Sequence, residues 1–208
     1  MNQKKIMICG IGTDVGKTVA SAIITESLQA DYWKPIQAGD LHFSDSDRVK
    51  ALISNSKTVI HPNAYALQTP ASPHWAAELD QITICIDDIV EPTTANHLVI
   101  EGAGGVYVPL NNQETIMDLI KPDYTVVLVS RHYLGSINHT LLTIEALLNK
   151  GKKIGGIVFS GAENKATESI ILQKTKIQFL GRIDEEPYFD ARVISQYAEL
   201  FNEALQTI

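Results

Sequence analysis

Near the start of the chain, Gly10-Ile11-Gly12-Thr13-Asp14-Val15-Gly16-Lys17-Thr18 brings together three kinds of residue that suit phosphate. Glycines let backbone N–H groups turn inward around phosphate oxygens, and a following helix start adds partial positive charge. Lys17 has the reach for β- and γ-phosphates, and the Thr18 hydroxyl is a hard oxygen ligand suited to Mg²⁺. Five residues lie between Gly10 and Gly16, and the first position of the simple G-x-x-x-x-G-K-[ST] pattern is Ile11. The segment nonetheless sits between an apolar run, Ile6–Cys9, and a helix-like run, Thr18–Leu28, which is the context a phosphate loop needs.

Two further groups have chemistry to offer. Glu101 directly follows the apolar Leu98-Val99-Ile100 and precedes Gly102-Ala103-Gly104-Gly105. A carboxylate at the end of a buried strand is costly unless paired or bound to a cation, and a strand-end carboxylate is a common partner of the loop hydroxyl in holding Mg²⁺. Lys34 follows Tyr32-Trp33 and precedes Pro35. A lysine on a strand-end rim could stabilise a carbamate or a transferring phosphoryl group. Asp47, in Ser44-Asp45-Ser46-Asp47, reads equally as a helix-start charge and as a second carboxylate near the metal. The six histidines have no metal-ligand spacing and read as structural or surface residues, and Trp33 and Trp75 as packing residues.

The elements that must hold these residues alternate. Short apolar runs at Ile6–Cys9, Tyr32–Trp33, His97–Ile100, Tyr124–Val129, Ile154–Phe159 and Ile177–Leu180 read as strands. Between and after them, Thr18–Leu28, Asp45–Ile53, Pro73–Leu79, Ile137–Leu148, Thr167–Lys174 and Arg192–Leu205 read as helices. Alternation of this kind predicts an α/β fold of the P-loop NTPase type: a mostly parallel sheet flanked by helices on both faces. Right-handed crossovers would then gather the loops after the strands on one rim, where open α/β sheets bind ligands. Ser54–Ser72 is the least regular stretch and reads as a loop beside the site.

The 208 residues suit a single domain, 1–208. A net charge of −7 and the lack of a long basic run argue against nucleic acid or anionic lipid as a partner. The two cysteines, Cys9 and Cys85, form no CxxC pair, and Cys9 lies in an apolar strand as a buried thiol. The start lacks the apolar stretch of a secretion signal and no window is long enough for a membrane span, so a cytoplasmic location is expected.

Several segments together resemble the dethiobiotin synthetases of biotin biosynthesis. They are Gly12–Ser21, Lys34–Gly39, Asp45–Asp47, Thr69–His74 with Ala76–Glu78, Glu101–Leu110 and Leu134–Thr140, in the family's order and within residues 5–160. The resemblance implies an ATP- and Mg²⁺-dependent ring closure of 7,8-diaminononanoate with CO₂ (supplied as bicarbonate), through a carbamate and a carbamic–phosphoric anhydride. It implies Lys17 and Lys34 as catalytic residues. Nucleotide contacts would come from Gly12, Thr13, Asp14, Val15, Gly16, Lys17, Thr18, Val19, Asp47, Glu101, Gly102, Ala103 and Gly104. Thr18, Asp47 and Glu101 would hold Mg²⁺. The diamine end would meet Thr13, Lys34 and Gly104. In a homodimer, Ser136, Ile137 and Asn138 would receive the substrate carboxylate across the interface.

Three positions depart from the family pattern. Ala38 replaces a frequent hydroxyl residue, Ser160 stands where an adenine-reading asparagine is usual, and Asp184-Glu185-Glu186 replaces a proline-led segment near the base. These departures make relaxed nucleotide preference an expectation. A nucleotide-switch ATPase of the partitioning type would share the strand–loop–helix start, but it usually carries an additional early loop lysine, and Gly10–Val15 contains none.

Overall fold

The computed structural model describes residues 3–208. Its framework is a seven-stranded sheet whose paired strands all run parallel. The chain forms β1 (Lys5–Gly10), α1 (Lys17–Leu28), β2 (Asp31–Trp33), β3 (Ile36–Ala38), α2 (Asp45–Leu52), β4 (Ile60–His61), β5 (Tyr65–Leu67) and α3 (Pro73–Leu79). It continues through β6 (Leu98–Gly105), β7 (Thr125–Arg131), α4 (Ser136–Asn149), β8 (Lys153–Ser160), α5 (Lys165–Thr175), β9 (Phe179–Ile183) and α6 (Ala191–Gln206). The strand order is β4-β2-β6-β1-β7-β8-β9, with β3 and β5 paired in a separate two-stranded sheet. β1 therefore lies inside the sheet with β6 on one side and β7 on the other. The chain first builds to one side of β1 and then crosses to the other, which makes the rim beside β1 the topological switch point where such sheets bind ligands.

Side chains alternate between the two faces, as the two-residue period of a strand requires. Ile6, Ile8, Val99, Val127 and Val129 pack with Ala20, Ile23, Ile24, Val49, Ile194 and Phe201 of α1, α2 and α6. Met7, Cys9, Leu98, Ile100, Val126 and Leu128 pack on the other face with Ala76, Ile144, Leu147 and Ile171 of α3, α4 and α5. Burial on both faces explains why these strands read as unbroken apolar runs. Cys9 is 1% exposed and burial pushes its thiol up to about 12, so it is an inert core residue.

The structure differs from the sequence expectation in three strand assignments and at one tryptophan. β6 does not stop at Glu101 but runs to Gly105, because its pairing with β1 resumes at Gly10–Gly105 after an irregularity. β9 begins at Phe179, since the Ile177 amide is taken by the Thr175 hydroxyl at the end of α5. The irregular stretch 54–72 contains β4 and β5, whose two or three residues are too few to show a period. Trp33 is buried as expected, with its indole N–H donating to the Pro62 carbonyl, but Trp75 is 54% exposed on α3.

β8 carries a tight constraint. A Cβ at Gly156 would lie 2.4 Å from Cγ of the buried Leu180 on β9. Gly156→Ala should cost about 1–3 kcal/mol by overpacking, seen as a lower urea midpoint with an unchanged m-value. An unmoved midpoint would show that the β8–β9 contact relaxes freely.

Candidate active site

The loop between β1 and α1 has the backbone of a cradle. Asp14 and Gly16 both adopt left-handed φ angles of 55° and 93°. A Cβ at Gly10 would lie 2.7 Å from Val15 Cγ2 and 2.8 Å from the Gly12 carbonyl, so the turn closes only over glycine. Gly16 caps α1 without any side-chain hydrogen bond, and the first turn of the helix holds no acidic residue. The first amides of α1 are thus left to an outside acceptor, which is the setting for an anion. Lys17 is buried, and its ammonium donates to the Gly12 carbonyl at 2.8 Å. Burial pulls its pKa below the ordinary lysine value, with the Glu101 charge opposing the shift.

Glu101 is 1% exposed and is surrounded by donors. Thr18 Oγ1 donates to its Oε1 at 2.9 Å, Lys34 Nζ donates to the same oxygen at 3.0 Å, and the Tyr32 hydroxyl donates to Oε2 at 2.9 Å. Register explains the convergence. β2 and β6 pair Tyr32 with Val99 and Trp33 with Ile100. With alternation, Tyr32, Lys34, Val99 and Glu101 then share the face that carries α1. Lys34 also pairs with the Asp45 carboxylate at the start of α2. Burial pushes the Lys34 ammonium down, but the Glu101 and Asp45 charges and hydrogen bonds outweigh it and hold the pKa above the ordinary value. Lys34 is accordingly a fixed cation.

The structure separates the two aspartates of the α2 start. Asp47 is the third residue of α2, and its Oδ2 folds back to accept from the Ser44 amide and hydroxyl at 2.9 and 2.7 Å. This reciprocal capping box turns Asp47 toward solvent, away from Thr18 and Glu101. Asp45, at the first position of the helix, faces the cleft instead. Thr18 and Glu101 are brought together as expected and present hard oxygen ligands that fit Mg²⁺. No cluster of three or more His, Cys, Asp and Glu suited to a metal occurs among the described residues. A Mg²⁺ held by one hydroxyl, one carboxylate and nucleotide phosphates does not require such a cluster.

A continuous cleft of about 1150 Å³ runs along the rim. Thr13–Val19, Lys34, Ala38, Leu52, Pro70–Pro73, Ala103, Gly104, Val108 and Phe189–Ala191 line it. A Cβ on Gly104 would lie 3.5 Å from Thr13 Oγ1, so these two expected contacts are neighbours. Gly102 is buried in β6 and does not line the cleft; Gly12 faces a smaller adjoining hollow beside Arg131–Tyr133. Ser136, Ile137 and Asn138 start α4 behind the left-handed Gly135 and also lie outside the cleft. Ser160 Oγ lies 2.9 Å from where a Gly16 Cβ would be, so the hydroxyl backs the phosphate loop. The Asp184 carboxylate is bound by Arg182 and that of Glu186 by the Tyr197 hydroxyl. Sequence reasoning missed Tyr32 and Asp45. The clue to Tyr32 was a phenol two residues before Lys34, and so on the same face.

A strand, glycine loop and helix start that leave free amides over a buried lysine, with a hydroxyl and a buried carboxylate beside them, define a P-loop nucleotide-binding enzyme. A family model described as an AAA domain matches residues 4–193. Proteins named ATP-dependent dethiobiotin synthetase BioD are similar over nearly the whole chain. The one from Christiangramia forsetii is 58% identical, covering 97% of this chain and 98% of its own. That from Cytophaga hutchinsonii is 47% identical over 94% and 95%, and that from Chlamydia pneumoniae 41% over 96% and 90%. The chain belongs to the ATP-dependent dethiobiotin synthetase family. Among solved structures, the septum site-determining protein MinD of Pyrococcus horikoshii, complexed with Mg-ADP, matches with a TM-score of 0.62 at 12% identity, covering 95% of each chain. A ParA family ATPase from Chlorobium tepidum matches at 0.56 and 11%, covering 99% and 92%. At such identities the likeness is one of fold.

The capping box has a pH signature. Hydrogen bonds from Ser44 hold the Asp47 carboxyl below its ordinary value. A depressed carboxylate stabilises the fold above the unfolded-state pKa, and that contribution disappears as pH falls through the folded value. Asp47→Ala should therefore lower the urea midpoint at neutral pH, with the gap to wild type closing as pH falls through the depressed folded-state value of the carboxyl. A gap that persists in acid would show that the carboxylate charge is not what holds the cap.

Proposed function

We infer that this chain is an ATP-dependent cyclo-ligase that closes 7,8-diaminononanoate and CO₂ into dethiobiotin, releasing ADP and phosphate. The observation that carries the reading is a fixed Lys34 cation and a buried Glu101 beside a phosphate cradle, in a chain with full-length relatives of that name. One amine of the substrate takes up CO₂ as a carbamate. A carbamate oxygen attacks the γ-phosphorus and ADP leaves, forming a carbamic–phosphoric anhydride. The second amine then attacks the carbonyl carbon, phosphate departs with the C–O bond electrons, and the cyclic urea closes.

In this reading Lys17 and the loop amides hold the β- and γ-phosphates, and Lys34 stabilises the carbamate and the transferring group. Thr13 and Gly104 meet the diamine, a placement supported by their neighbouring positions in the cleft. Thr18 and Glu101 would hold Mg²⁺, with Asp47 as the third ligand once its carboxylate leaves the Ser44 cap. Bound Mg²⁺ would neutralise phosphate charge as the transfer proceeds. The protein's own contribution is positioning of the reactants in a cleft that already holds the needed charges.

The reading extends to one catalytic domain acting as a cytoplasmic homodimer. The Ser136 amide donates to the Tyr133 carbonyl, and the Ile137 and Asn138 amides in the same first turn of α4 suit a substrate carboxylate from a second copy. Leu134 beside them is fully exposed, and Tyr133 and Ile137 are partly so, which supports an apolar contact there. Among the described residues no helix is long and apolar enough to cross a membrane.

Phosphate release from Mg-ATP and bicarbonate should depend on 7,8-diaminononanoate, with the cyclic urea detected by mass. Lys34→Ala should retain nucleotide binding and lose at least about 100-fold in turnover, on the scale of losing one preorganised electrostatic donor. Hydrolysis indifferent to the diamine would reject the reading, and unchanged turnover would remove Lys34 from it. With Ser160 backing the loop and the Asp184 and Glu186 carboxylates engaged elsewhere, selection for adenine should be weak. ATP, GTP and CTP should support comparable turnover, whereas a strict ATP requirement would show base readout by other groups.

A further inference from the structure

Glu101 is held by three donor side chains, Thr18, Lys34 and Tyr32. Thr18 and Lys34 have parts in the reaction already; Tyr32 has none. The Tyr32 ring is fully buried within the apolar cluster beneath α1. A phenol placed there must find a polar partner for its hydroxyl, and the partner is Glu101 Oε2 at 2.9 Å. The contact follows from strand register. Tyr32 is paired with Val99, and Glu101 lies two residues further along β6 on the same face. Tyr32 therefore reaches Glu101 from the core side, while Thr18 and Lys34 both hold Oε1 on the cleft side. Two donors on one oxygen leave the carboxylate free to pivot about it. A third donor on the other oxygen removes that freedom.

We propose that Tyr32 is a positioning residue that locks the rotation of Glu101, so that Oε1 faces the Thr18 hydroxyl where Mg²⁺ binds. The proposal rests on the reading of Glu101 as a Mg²⁺ ligand. It assigns Tyr32 a role through Glu101 and no contact with substrate or nucleotide. Outer partners of metal-binding carboxylates commonly change metal affinity by about 10–100-fold when removed.

The test is binding of a non-hydrolysable ATP analogue by titration calorimetry, with Mg²⁺ and again with EDTA, for wild type, Tyr32→Phe and Glu101→Gln. Tyr32→Phe removes only the hydroxyl and keeps the buried ring. Wild type should bind more tightly with Mg²⁺. Glu101→Gln should abolish that gain. Tyr32→Phe should lose about tenfold or more of it, with affinity in EDTA unchanged. If Tyr32→Phe keeps the full gain while Glu101→Gln loses it, the proposal for Tyr32 is wrong and the role of Glu101 stands. If wild type shows no gain, or Glu101→Gln retains it, the metal reading itself fails. Loss of affinity by Tyr32→Phe in EDTA as well would show that the hydroxyl serves the fold, and would also overturn the proposal.

Discussion

A negative charge buried in the sheet organises this molecule. Glu101 is 1% exposed, on a strand otherwise made of apolar and small residues. An unpaired carboxylate in that position would be expelled or protonated. It persists because a hydroxyl from α1, a phenol from β2 and an ammonium just after β2 all donate to it. The donors come from α1 and from the β2 region, so the charge is tolerated only when β2, β6 and α1 are assembled in register. The rest of the rim is arranged around that requirement.

Charge is then passed outward in alternating sign. Glu101 holds Lys34, Lys34 holds Asp45, and Asp45 begins the helix whose cap is built by Ser44 and Asp47. A buried ion pair of this kind contributes little net stability, but removing either partner leaves an uncompensated charge. The pair keeps a cation fixed beside the glycine loop. The helix start of α1 contributes in the same way, by leaving its amides uncapped.

The fold alone does not select this chemistry. Proteins that share the sheet at 11–12% identity carry names such as septum site-determining protein MinD and ParA family ATPase. The rim of this chain carries Lys34 after β2, the β3–β5 ribbon, and Pro70–Pro73 lining the cleft. Function resides in sites placed on a common scaffold.

Local chemistry was legible without coordinates. The phosphate loop, the parallel α/β sheet, the helix ranges within a few residues, and a costly carboxylate at Glu101 follow from residue type, apolar period and glycine placement, because backbone torsion and one-face burial are decided over a few neighbours. Register and rotation were not legible. Whether Asp45 or Asp47 faces the cleft depends on which residue becomes the first of α2 and on the capping bond made by Ser44. That Tyr32 lies against Glu101, 69 residues away in the chain, depends on β2 pairing with β6 rather than β1. These are long-range choices. They are settled by the burial of both sheet faces and by the need to satisfy one buried charge, and no local window of the sequence contains them.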